Sequence, residues 1–338
     1  MIGFINIYKP SGMTSNAVVQ RIKKHYHIDK VGHTGTLDPM ASGLLPIAIG
    51  KATRLFDYML DKKKTYNVVF DFGYETDTLD ITGTRMTEND VIVNENDITN
   101  CIKKMIGKQM QIPPKYSAKN INGTRAYTLA RNGVDFELKP KEIEIFELEI
   151  LAKLDTNKYK FKVVCSSGTY IRSIGRDLGN MLGTYGTMTQ LERCDMGYFL
   201  ISNSHSLDDV INSNNFEDFL ISPIEVFKNF DSINIDDKIY KNLIDGKFVE
   251  YKKIIRNTFV LHKDKLIGVA KPRENQLKLD CYLEEWLWLN LDQQEIVRHF
   301  MMRDIRELLK RLSGLEKMDW MLTNIRLARD LLCQMIQQ

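Results

Sequence analysis

The sequence predicts an α+β protein: a mixed, mainly antiparallel sheet flanked by helices, then a small β-rich module, then a helical tail. Three observations predict this. Stretches of period-two apolar alternation interleave with stretches of helical period, without the regular βαβ rhythm that a parallel sheet requires. Asn, Asp and Ser cluster at residues 228–235, a composition suited to a boundary. From Glu284 onward the pattern is helical. At 338 residues and 43% apolar content, the chain is long enough for two domains and needs no disulfide or metal to staple its core. The expected domains are 1–230, 231–283 and 284–338.

Taken in order, the turn Lys9-Pro10-Ser11-Gly12 leads to Ser15 as an N-cap, and a helix follows with Val18, Val19, Ile22 and Tyr26 on one face. A Gly/Pro loop, 32–39, precedes a short apolar strand at 44–49 and a helix over about 52–60. After the basic turn Lys62-Lys63-Lys64, alternation places Tyr66, Val68, Phe70 and Phe72 on one face of a strand. Residues 90–108 read as a helix. The stretch at about 109–134, punctuated by Pro113-Pro114, Gly123 and Gly133, reads as a long exposed loop, a length that usually signals function. Two alternating strands follow at 143–151 and 159–165, then a helix carrying Ile171, Ile174, Leu178 and Leu182. Short strands are expected at 258–261, 266–270 and 277–282, with a short helix at 238–247.

Composition excludes several classes. The N-terminus lacks a basic segment followed by a long apolar stretch, and no run approaches the roughly 20 apolar residues that span a bilayer, so a cytoplasmic protein is expected. The five cysteines are widely spaced with no C-x-x-C pair, and read as reduced structural residues. The net charge of +3 names no partner, but its distribution is uneven. Residues 1–64 carry ten Lys/Arg against four Asp/Glu, and residues 98–134 carry seven Lys/Arg and no acid. A polyanion suits that half, as does a plain solvated basic face.

The segment Gly32-His33-Thr34-Gly35-Thr36-Leu37-Asp38-Pro39 presents one acid from a tight loop. A phosphate cradle is disfavoured, since no G-K-[ST] ending follows the second glycine. Metal binding by His33 and Asp38 is disfavoured, since no further ligand lies near in sequence. A nucleophilic or basic carboxylate and a simple turn-forming Asp both remain open.

Residues 32–46, Gly-His-Thr-Gly-Thr-Leu-Asp-Pro-Met-Ala-Ser-Gly-Leu-Leu-Pro, closely resemble the catalytic motif of the TruB family of tRNA pseudouridine synthases, which act at position 55. Other matches follow in that family's order: Lys9 to Ser15, Lys64-Thr65-Tyr66, Gly73 to Gly83, Pro113 to Ala118 with Gly123, Arg125, Tyr127 and Leu129 to Arg131, Ser167 to Arg172, and Leu191-Glu192-Arg193. The likeness spans about residues 3–225. It implies a pseudouridine synthase fold, with the 231–283 module resembling the family's small PUA-like RNA-binding domain.

The resemblance also implies roles. Asp38 would be the nucleophile, Arg172 its ion-pair partner, and Tyr66 the ring that stacks on the target base. Tyr170 and Leu191 would line the uridine pocket, His33 would hold the opened RNA loop, and Lys9 would belong to the substrate-binding set. Lys115, Lys119, Arg125 and Arg131 of the thumb, at about 109–134, would bind RNA. The chemistry agrees with these residue types. Breaking the N1–C1′ bond of uridine and rejoining the base through C5 requires an anion at Asp38, and an adjacent guanidinium typically lowers a carboxylate pKa by about 1–3 units. Flipping the base out costs a few kcal/mol of stacking, and an aromatic face returns about 1–3 kcal/mol. The expected partner is the T-arm stem-loop of tRNA. No metal, organic cofactor or membrane is expected.

Two alternatives stand beside this reading: a synthase acting on another RNA, and a non-catalytic RNA-binding or folding module. The tail at 284–338 matches nothing in the family pattern. Its leucines, with Trp286, Trp288 and Trp320, suggest a helical hairpin packed on the body or on a protein partner that the sequence leaves unknown.

Overall fold

The computed structural model describes residues 1–59, 63–121 and 123–283. The expectations for the 284–338 tail lie outside the described residues.

Ten strands build the main sheet: the short strand Phe199–Leu200 and β1 (Gly3–Lys9), β2 (Val31–His33), β3 (Ser42–Ile49), β4 (Lys64–Phe72), β5 (Gly107–Gln111), β6 (Lys141–Asp155), β7 (Lys158–Cys165), β8 (Gly186–Met196) and β9 (His205–Ser206). Their order is β9-β1-β3-β8-β4-β7-β6-β5, with β2 alongside β3 and the short strand Phe199–Leu200 alongside β8. Only β9–β1 and β3–β8 pair in parallel, so the sheet is mixed and mainly antiparallel, as the sequence pattern predicted. The alternation in β4 buries Tyr66, Val68, Phe70 and Phe72 on one face. Val69 is also buried, which marks β4 as an interior strand covered on both sides.

β8 lies against β4 from Gly186↔Phe72 to Met196↔Lys64, in the middle of the sheet. Alternation does not announce it, because the residues it buries include Thr187, Thr189 and Arg193. The Thr187 hydroxyl donates to Tyr74 O at 2.8 Å, and Arg193 Nε donates to Leu44 O at 2.8 Å. These are hydrogen bonds that let polar groups occupy a core position.

β3 and β8 meet at Gly43, which pairs with Arg193. Gly43 has φ +101°, and a methyl group there would collide with the Arg193 backbone N and O. Gly43→Ala is therefore expected to cost about 3 kcal/mol of stability. A lower denaturant midpoint with an unchanged slope would show it; an unchanged midpoint would refute it.

Three helices cover the sheet: α1 (Ser15–His25), α2 (Glu95–Met105) and α3 (Ile171–Met181). Two boundaries differ from expectation. Thr14 caps α1 through the Ala17 amide, while Ser15 is buried and used elsewhere. The 90–108 helix is shortened because Gly107 starts the edge strand β5. The expected helix at about 52–60 is a tighter 3₁₀ run, Gly50–Met59. The 109–134 segment is not a bare loop: it holds the end of β5, a hairpin of Asn120–Ile121 with Thr124–Arg125, and a short helix, Ala126–Arg131. Backbone groups that a bare loop would leave to solvent are thereby paired internally.

Residues 231–283 form a four-stranded sheet, in order Asp231–Ile235, Thr258–His262, Lys265–Ala270 and Cys281–Tyr282, with the helix Asp237–Ile244 beside it. Phe259, Val269, Cys281 and Leu283 of these residues share one apolar cluster with Phe4, Leu44, Leu55, Met59 and Phe199 of the body. Among the described residues no helix is long and apolar enough to cross a membrane.

Candidate active site

The loop between β2 and β3 carries Asp38, and the N-terminal turn pins it from below. Gly12 N donates to Pro39 O at 2.8 Å, and Ser11 Oγ to Met40 O at 2.7 Å. The buried Ser15 hydroxyl donates to Leu37 O at 3.1 Å and accepts from Leu37 N at 2.9 Å. Lys9, assigned to substrate by resemblance, is fully buried and does not reach the cavity. Its ammonium instead donates to the carbonyls of Pro10 (2.8 Å), Met13 (2.6 Å) and Pro39 (3.4 Å), tying the turn to the Asp38 loop. A three-carbonyl clamp leaves Lys9 no free donor for a ligand. Ser15→Ala leaves the Leu37 amide and carbonyl without their partner inside the protein. It is expected to cost about 1–3 kcal/mol and to slow any reaction at Asp38 by loosening its loop. Chemical denaturation together with initial rates checks both halves.

Arg172, at the start of α3, grips Asp38 with two prongs: Nη2 to Oδ1 at 3.0 Å and Nε to Oδ2 at 2.9 Å. Such a forked pair fixes direction as well as distance. The remaining donors of Arg172 are also used. Nη1 donates to Thr78 O at 3.0 Å, Nη2 also reaches Tyr116 O at 3.1 Å, and the Asp80 carboxylate stands 3.5 Å from Nη1. Asp80, only 4% exposed, is held by Thr78 Oγ1 (2.9 Å), Thr82 N (3.0 Å) and Thr82 Oγ1 (2.5 Å). One guanidinium thus ties the Asp38 loop, the 76–83 turn and the start of the 109–134 segment together.

The charge balance differs from the expectation drawn from residue types. Burial raises the Asp38 carboxyl above its ordinary value, the Arg172 charge opposes that rise, and the nearby Asp80 adds to it. Burial outweighs the guanidinium because desolvation penalises the charged form wherever water is excluded.

Asp38 sits in a cavity of about 980 Å³ that is also lined by Tyr66, Tyr170, Arg172, Leu191 and His33. Six of the sequence-predicted residues, His33, Asp38, Tyr66, Tyr170, Arg172 and Leu191, therefore converge on one place. Burial pushes the Tyr66 hydroxyl up to about 12, against the charge of Arg193. Burial and Arg193 push the His33 imidazole down, and its Nδ1 has no hydrogen-bond partner among the described residues. Of the four thumb cations, Arg125 and Arg131 line the cavity. Lys115 pairs with Asp135 at 3.4 Å and Lys119 donates to Lys139 O at 2.9 Å, both away from it.

Sequence reasoning assigned no role to four residues that the structure places here: Lys64, Asp80, Ser117 and Arg193. Lys64 read as part of a basic turn, yet it opens β4 and is buried at the cavity wall. Extending the alternation back from Tyr66 by two residues places it on the same face. Arg193 is fully buried and donates Nη2 to Gly35 O at 3.0 Å. Ser117 Oγ, on the cavity wall, has no partner among the described residues. Among the described residues, no group of three or more His, Cys, Asp or Glu side chains could hold a metal ion.

The fold and sequence have relatives. Residues 23–171 match the family described as TruB family pseudouridylate synthase (N terminal domain). tRNA pseudouridine synthase B of Clostridium tetani is 41% identical over 286 residues, covering 82% of this chain and 98% of that protein. The protein of the same name from Clostridium acetobutylicum is 42% identical over 255 residues, covering 75% and 88%. Among solved structures, an H/ACA RNP bound to a substrate RNA containing 2′-deoxyuridine superposes with a TM-score of 0.62 at 22% identity, covering 85% of this chain and 86% of that one. A Cbf5-Nop10-Gar1 complex gives a TM-score of 0.61 at 23% identity, covering 84% of each chain. At such identities these structures speak to the fold alone. With the C. tetani enzyme matched along nearly its whole length, this chain belongs to the TruB family of pseudouridine synthases.

Proposed function

We propose that this protein converts a uridine of tRNA to pseudouridine, at position 55 in the T-arm, with Asp38 as the nucleophile. The observation that carries the reading is the two-pronged Asp38–Arg172 pair, set in a cavity beside Tyr66. The relatives' name, tRNA pseudouridine synthase B, supports the substrate class.

Each part of the chemistry has a residue to perform it. A base inside folded RNA is out of reach until it is flipped, and the cavity offers Tyr66 as a stacking face with Leu191 and Tyr170 as walls. Arg125 and Arg131 on the thumb supply cations for the flanking phosphates without reading sequence. His33, whose imidazole burial and Arg193 push down, lines the cavity where the opened loop would lie. Asp38 attacks as an anion: although burial raises its carboxyl, Arg172 donates to both oxygens and opposes the rise. The detached uracil turns between Tyr66 and Leu191 and rejoins through C5. The 231–283 module serves as a PUA-like platform for a more distant part of the tRNA.

C5 must lose its hydrogen for the new bond to form. A T-arm RNA tritiated at C5 of its uridines should therefore release label into water with wild-type protein, and absence of release would sink the reading. Mapping modified positions by reverse transcription after carbodiimide treatment should give one stop in the T-arm. Stops confined to ribosomal RNA would redirect the substrate assignment.

A further inference from the structure

Two buried cations stand beside the Gly35 turn, Lys64 on the cavity wall and Arg193 fully enclosed, and neither forms an ion pair among the described residues. Lys64 is 8% exposed, lines the cavity, and makes no hydrogen bond or ion pair among the described residues. Arg193 is fully buried, and its Nη1 is without a hydrogen-bond partner among the described residues. They converge on the catalytic loop: a Cβ placed on Gly35 would stand 3.1 Å from Arg193 Nη1 and 3.2 Å from Lys64 Nζ. β-Pleat alternation puts Lys64 on the same face of β4 as Tyr66, and Arg193 pairs with Tyr66 across β4 and β8. Burying an ammonium without a counter-ion is costly, so its retention beside Tyr66 calls for negative charge that arrives with the substrate or develops during the reaction.

We propose that Lys64, backed by Arg193, is a further catalytic residue that stabilises the uracil anion formed when the glycosidic bond breaks. The proposal rests on the pseudouridine synthase reading above. Breaking N1–C1′ leaves the bonding electron pair on the uracil ring, while C1′ takes its new bond from the Asp38 carboxylate. When the pair re-forms as C5–C1′, Asp38 is released, C5 loses its proton and N1 gains one, so the product is an isomer of the substrate. A sugar proton taken by Asp38 instead would produce the same ring anion, so the role of Lys64 holds on either route. Tyr66 supplies a neutral stacking face whose hydroxyl resists ionisation, which leaves Lys64 as the charged member of the pair. Preorganised positive charge in a water-excluded site acts most strongly where charge develops in the transition state.

The groups facing Lys64 are Arg193 on β8, Cys165 on β7 and Lys141 on β6, none of them a carboxylate. Burial, with Arg193, lowers the Lys64 ammonium to about 8, whereas an arginine at that position stays charged. The kcat/KM profile of wild type should therefore fall as pH rises through about 8, as the free enzyme loses this proton.

Single-turnover conversion of T-arm RNA by wild type, Lys64→Met and Lys64→Arg tests the proposal. Lys64→Met is expected to be slower by about 10²–10³-fold, with the RNA Kd within about twofold of wild type. Lys64→Arg should recover most of the rate and lose the fall near pH 8. A weaker RNA Kd at an unchanged bound-state rate would make Lys64 a phosphate contact and overturn the proposal. A wild-type rate that rises through pH 8, with an inactive Lys64→Arg, would make it a proton acceptor and overturn it equally. If Lys64→Met fails to unfold cooperatively, the Lys64→Arg pH profile decides alone. Absence of tritium release from wild type would instead overturn the parent reading before any variant is compared.

Discussion

Asp38→Asn is expected to abolish tritium release, by about 10⁴-fold or more, with RNA binding nearly unchanged. The amide keeps the shape of the carboxylate but carries no charge to attack carbon. It also cannot accept both prongs of Arg172, because one terminal atom becomes a donor facing a donor. The 109–134 segment and the cavity walls remain intact, so on the proposed reading filter binding should give a Kd within a few-fold of wild type. Release retained within tenfold would assign the chemistry to another group. A graded version comes from pH. Because burial raises the Asp38 carboxyl, the acidic limb of kcat/KM should lie above the ordinary carboxylate range of about 4. A limb at or below 4 would contradict that direction.

Arg172→Met should produce the second-largest loss, in rate and in stability together. It removes the partner of Asp38 and leaves Asp80, whose side chain is 6% exposed, without its nearest cation. Breaking a buried pair from one side typically costs about 3–5 kcal/mol. The Thr78 and Tyr116 carbonyls lose their donor as well, so the start of the 109–134 segment loses its tie to the Asp38 loop. The sign with pH follows from linkage. Asp38 already has a folded pKa above its unfolded value, so its favourable contribution is present below the unfolded value and is lost as pH rises through the folded one. Removing Arg172 takes away a lowering influence and enlarges that loss. The stability gap between variant and wild type should therefore widen from pH 4 toward pH 8 in urea unfolding, and a gap that narrows would reverse the assignment. Arg172→Lys should recover little, because an ammonium cannot span both oxygens of Asp38 while serving two carbonyls.

How far the sequence was legible depended on the kind of residue involved. β4 was readable because its apolar face follows period two, and the same period carried Tyr66 to the correct face. β8 escaped notice although it lies at the sheet centre, because its buried positions are threonines and an arginine that only neighbouring carbonyls make tolerable. Ser15 has the chemistry of a helix cap and was read as one. Thr14 takes that task, and the Ser15 hydroxyl instead turns inward to Leu37. Lys9 and Arg125 are both basic residues in motifs, yet one is clamped beneath the loop and the other reaches the cavity. No local pattern separates them.

By itself the sequence determined the class of fold and named the Gly32–Pro39 loop and the candidate trio Asp38, Tyr66 and Arg172, because short motifs and apolar periods are encoded locally. The tertiary structure decided what those residues experience. It brought positions 38, 66 and 172 to one cavity from the β2–β3 loop, β4 and the start of α3. It made burial outweigh the guanidinium at Asp38 and enclosed Lys64 and Arg193 without a counter-ion. Desolvation and charge pairing depend on every group packed nearby, and most of those groups are distant in the chain.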